Sequence, residues 1–149
     1  MNTSRKDSDP VHSMLVGIKD KIRHKAESDA RRAAEVKARD EVRRQTLIEA
    51  DRVIGEKLEH IAAALRADGL VLVQPPTGPR SLQWRGTTLT VAVTATGVAI
   101  RMDPPNHLVD ESMEVDPSGK LRGKPTLPRM GDRTLEEVLA RAVERFLLA

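Results

Sequence analysis

The residues of this chain best suited to metal binding or proton transfer are His12, His24, His60 and His107, and they form no chemical pattern. No two of them lie at i,i+3 or i,i+4, the spacing that brings imidazoles together on one helix face. Asp110, Glu111 and Glu114 gather carboxylates of the kind a hard cation accepts. They lack the glycine-punctuated loop of a calcium site and read as surface acidity. Cysteine is absent, which removes disulfides, thiolate metal sites and cysteine nucleophiles. No nucleophile elbow, phosphate-binding glycine loop, dinucleotide fingerprint or HExxH occurs. The expectation is a non-enzymatic protein with no cofactor, no metal and no small-molecule ligand.

Positive charge is the second kind of chemistry available. The segment GKLRGKPTLPRMGDR, residues 119–133, carries Lys120, Arg122, Lys124, Arg129 and Arg133 against Asp132 alone. Glycines and prolines keep such a loop extended, so these cations are candidate phosphate contacts. With helix arginines they would suit a small dimeric nucleic-acid-associated protein. The competing reading is a solvated loop that pairs with the acidic stretch before it, Asp103, Asp110, Glu111, Glu114 and Asp116. Across the chain 25 Lys and Arg stand against 22 Asp and Glu, a net charge of +3 that does not by itself signal a polyanion partner. One Trp, one Phe and no Tyr provide no stacking platform for single-stranded bases. Trp84 reads as the largest piece of a small core ahead of an interface anchor.

Apolar spacing is the third kind. Val11, Leu15, Ile18 and Ile22 are separated by four, three and four residues, an a/d seam that buries itself against a partner helix. The element that carries them starts at Asp9-Pro10, a capping carboxylate followed by proline at the first helical position. It stops at Asp68-Gly69, where glycine takes the left-handed conformation. A long N-terminal helix therefore fills 9–68, with Gly17 and Gly55 as candidate bends and 45–46 as a candidate break. Between Lys19 and Thr46 ten bases stand beside six acids, and Glu27–Arg31, Glu35–Arg39 and Asp40–Arg44 are favourable i,i+4 pairs. Each contributes about 0.2–0.5 kcal/mol, which marks this stretch as a solvated stalk or coiled-coil arm. A second apolar stripe, Leu47, Ile54, Leu58, Ile61 and Leu65, then faces either the domain that follows or its copy.

Beyond Gly69 the texture changes. LVLV at 70–73 is strand-like, and PPTGP at 75–79 is a rigid loop. Leu89, Val91, Val93 and Ala95 alternate with Thr88, Thr90, Ala92 and Thr94, the period of a half-buried strand. After the Thr96-Gly97 turn, Val98, Ile100 and Met102 share a face of an antiparallel neighbour. A weaker strand is expected over 108–115, and a short edge strand within 119–133. Thr134 and Glu137 make a capping box for a C-terminal amphipathic helix that covers the sheet. The fold class is α+β: a long N-terminal helix, a small antiparallel sheet and a C-terminal helix packed on it. The domain expectation is a disordered 1–8, a helical arm over 9–68 and a head over 69–149.

The N-terminus lacks the apolar stretch of a signal peptide, and no run of about 18 apolar residues spans a membrane. A cytoplasmic location fits. The reading is an assembly or adaptor protein that self-associates or docks a protein partner through Val11, Leu15, Ile18 and Ile22. Nucleic-acid association is the alternative.

Overall fold

The computed structural model describes residues 9–123 and 133–149. The expectation for residues 1–8, and the candidate contacts Lys124 and Arg129, lie outside the described residues.

Helix α1 runs from Pro10 to Leu65. The Asp9 carboxylate accepts the Val11 N–H at 3.0 Å, the expected cap. A short 3₁₀ turn, Arg66–Asp68, follows and ends at Gly69, whose φ of 102° is left-handed. The helix passes through 45–46 and Gly55 without interruption, so no break forms at either place. The physical reason is local: Thr46 and Gly55 are contact points for the domain instead of weak points of the helix, as described below.

Residues 1–40 and 41–149 form two separate units. In the first, the described residues are the start of α1. In the second, residues 41–65 of α1 belong with the sheet, because Ala50, Ile54, Leu58 and Ala62 enter its core. Nearly half of the helix therefore groups with the sheet.

The sheet has six strands in the order β1-β2-β3-β4-β5-β6, every pair antiparallel. They are β1 Val71–Val73, β2 Arg80–Trp84, β3 Thr87–Val93, β4 Gly97–Asp103, β5 Glu111–Val115 and β6 Leu121–Gly123. Register puts Leu82, Leu89 and Met102 in one cross-strand row, Val91 and Ile100 in the next, and Val98 beside Met113. All of these are buried, which is what period-2 alternation produces when one face is covered. Ser81, Thr90, Ala92, Ala99 and Ser112 alternate with them and remain at least partly exposed.

Two expectations shift. The strand foreseen over 108–115 begins only at Glu111, because Asn106 folds 106–110 into a turn. Its side chain accepts the Leu108 N–H at 3.0 Å and its carbonyl accepts the Val109 N–H at 2.9 Å. Strand β2 was not foreseen as a strand, since RSLQW carries one buried apolar residue, Leu82, and no extended alternation. Trp84 is half-buried and packed against the core, with the Arg85 guanidinium 4.8 Å from its ring centroid.

Helix α2, Leu135–Leu148, is capped by Thr134, whose hydroxyl accepts the Glu137 N–H at 3.2 Å. Its stripe of Val138, Leu139, Ala142, Val143 and Phe146 is buried in the same core as Ile54 and Leu58.

Candidate interaction surface

The first unit offers one chemical feature. Val11, Leu15, Ile18 and Ile22 are 58%, 48%, 41% and 62% exposed. At about 100° per residue they fall on one face of α1, and Met14, also exposed, widens that face. Met14 was missed, although its place three residues after Val11 marks it as part of the stripe. Gly17 has nothing within 4 Å of where a Cβ would stand, so it answers no packing demand among the described residues. The charges around this face include the Asp20–Arg23 pair at 3.1 Å, exposed and one turn apart. Such pairs support a helix without fixing it to anything.

The second stripe has a different fate. Ile54 and Leu58 are fully buried, while Ile61 and Leu65 pack on the core from its margin and Leu47 is half-buried. This stripe is therefore consumed within the domain.

Two polar contacts register residues 41–65 of α1 within the second unit, one against a turn and one against strand β2. The Thr46 hydroxyl donates to the Gly119 carbonyl at 2.6 Å. Gly119 has φ of 88°, and a Cβ there would stand 2.3 Å from Val42 Cγ1, so glycine is required twice over. Two and a half turns along, Arg80 lies across Gly55, where a Cβ would meet its Nη2 at 3.2 Å. Arg80 donates to Asp51 at 2.5 Å and to Gln74 at 2.9 Å, and Gln74 in turn donates to Glu59 at 3.1 Å. Gly55 is thus the seat of a guanidinium, a use that a lone helical glycine does not announce.

The candidate phosphate contacts are dispersed. Arg133 is only 6% exposed and donates through both terminal nitrogens to Glu111, at 3.1 and 3.0 Å. Arg122 pairs with Asp116. Asp116 also accepts the Ser118 hydroxyl at 2.6 Å and the Lys120 N–H at 2.9 Å. These bonds, the Ser118 hydroxyl foremost, hold its carboxyl down at about 2. Lys120 itself is exposed. The acidic stretch thus holds two of the arginines proposed for phosphate, as the competing reading of this loop describes. On α1, Arg44 donates to Glu41 at 2.7 Å and, with Gln45, lowers that carboxyl to about 2.

Among the described residues no group of three or more His, Asp or Glu is arranged to hold a metal ion. No helix among them is long and apolar enough to cross a membrane. No protein-family model, curated protein or solved structure matches the chain.

Proposed function

We propose that the protein is a non-enzymatic assembly or adaptor protein that self-associates or docks a protein partner through the N-terminal part of α1. The observation that carries the reading is the seam itself. Val11, Leu15, Ile18 and Ile22 keep heptad spacing on one helix face while between 41% and 62% exposed. Burying apolar surface of this kind is worth about 25 cal/mol per Å², and the spacing suits a facing helix whose side chains fill the gaps. The second stripe, equally apolar in sequence, is satisfied by the sheet; the first has no buried residue beside it among those described. A cytoplasmic setting goes with this reading, since a chain without cysteine draws nothing from an oxidising compartment.

The alternative reading, phosphate contact through the 119–133 loop and helix arginines, has less support. Arg133 would have to leave a half-buried carboxylate and Arg122 an occupied one before either could neutralise a phosphate.

The test is Leu15→Asp with Ile18→Asp in the full chain. Both positions are exposed, so the domain should fold, which circular dichroism verifies. Sedimentation should show a lower-order species than the unchanged chain, or capture of a partner from extract should be lost. Unchanged mass together with unchanged capture would sink the reading.

A further inference from the structure

Strand β1 is the outer strand of the sheet, hydrogen-bonded to β2 on one side, and no described strand pairs with its other edge. Edge strands are usually blunted by shortness, charge, proline or a bulge, because their free N–H and C=O groups invite pairing. At three residues β1 is short, but Val71, Leu72 and Val73 carry no charge, proline or bulge. Val71 and Val73 are 50% and 41% exposed on one face, while Leu72 turns to the other and packs on the core margin.

The helix beside this edge has a matching pattern. A cleft of about 690 Å³ separates the two, lined by Glu59, Ala62, Ala63 and Arg66 on one wall and Leu70 and Leu72 on the other. The Leu70 N–H donates to the Leu65 carbonyl at 3.2 Å, and Gln74 donates to Glu59 at 3.1 Å. Strand β1 therefore runs antiparallel to residues 59–65, with Leu72 abreast of Ala62 and Ala63. The helix wall reads acid, small, small, base, and its charges stand seven residues or about 10 Å apart. Arg66 makes no ion pair among the described residues, and Glu59 accepts a hydrogen bond from the neutral Gln74.

We propose that the β1 edge and this helix wall form a two-fold interface with a second copy of the chain. Antiparallel pairing of β1 with its copy, centred on Leu72, sets Val71 opposite Val73 and Leu72 opposite Leu72. Identical partners are what an isologous contact requires. The same axis passes beside Ala62 and Ala63, so the two helix walls lie antiparallel. Glu59 of each copy then faces Arg66 of the other, with the small, exposed Ala63 between them permitting close approach. One axis satisfies both patterns, and the charge arrangement selects a second copy over an unrelated strand. The product is a continuous sheet of twelve strands, six from each copy. This surface is separate from the Val11–Ile22 seam and does not depend on it.

The experiment is sedimentation of the full chain carrying Leu15→Asp and Ile18→Asp, which removes the seam and leaves the edge. The expected mass is twice the 16.4 kDa of one chain. Glu59→Arg or Arg66→Glu added singly should weaken the dimer about tenfold or more, since each sets like charges face to face. Glu59→Arg and Arg66→Glu together should restore it, which a role confined to the monomer's own fold would not do. Ala63→Arg, at an exposed position, should break it sterically. A monomer in the seam-disabled background, indifference to Glu59→Arg and Ala63→Arg, or failure of the double charge swap to rescue would each overturn the proposal. Circular dichroism of every variant confirms that the fold is intact when the mass is read.

Discussion

Residues 10–40 and 41–65 share one helix and differ in almost everything else. The upstream part has no buried residue, and its apolar side chains are all exposed. The downstream part buries Ala50, Ile54, Leu58 and Ala62 in a core built with the sheet and α2. Mean apolar content does not separate them, because Val11 to Ile22 is as rich in large aliphatic residues as Leu47 to Leu65. What separates them is that a covalent neighbour, the sheet that begins at Val71, supplies a surface for one stripe and not for the other. A helical stripe is a demand for a partner, and the chain meets that demand once.

The contrast can be broken most directly by deleting apolar volume at both places. Leu58→Ala should cost about 2–5 kcal/mol of domain stability, read as a lower urea midpoint, because the side chain is fully buried. Ile22→Ala should shift that midpoint by less than about 0.5 kcal/mol, since the residue is 62% exposed. Equal losses at the two positions would mean that the upstream stripe is also consumed by the fold.

Glycines give the next test, with opposite signs. Gly119→Ala should destabilise by about 1–2 kcal/mol for its left-handed backbone alone, and further because its Cβ would strike Val42. Gly17→Ala meets open space in an ordinary helical position and should stabilise the upstream helix by up to about 1 kcal/mol. Slower amide exchange around Gly17→Ala, with no such gain at Gly119→Ala, would sharpen the comparison.

The smallest effect expected is one of pH. Asp116 has its folded-state carboxyl lowered from 3.8 to about 2, so the stability it contributes is present above about pH 4. That contribution is lost as pH falls through about 2. Amide exchange of Ser118 and Lys120 should quicken in that window, and Asp116→Asn should remove the pH dependence by loosening the turn at every pH.

These tests rest on features that differ in how far the sequence discloses them. The helix start at Asp9, its stop at Gly69 and the Thr134 cap are local signals, and each forms as its residues require. The alternation in β3 and β4 is likewise local and survives intact, because one covered face demands it. Strand β2 escaped because its place is fixed by its neighbours' hydrogen bonds more than by its own pattern. Arg133 groups with the loop cations in sequence, since a guanidinium looks the same whether it meets water or a half-buried carboxylate. Its partner Glu111 is 22 positions away, and only the folded sheet brings them together. Gly55 misled for the same reason: backbone freedom is visible in sequence, whereas the need for empty space under Arg80 is not.

The contacts at Thr46 and Gly55 also constrain how the chain can change length. They are nine positions apart on one helix, and each meets a different element, the turn at Gly119 and strand β2 at Arg80. Inserting a single residue between them would swing one contact about 100° away from its mate while the other stayed in place. Insertions and deletions should therefore be barred from 46–55, and tolerance of them would be greatest upstream of residue 40, where no described side chain has a distant appointment to keep.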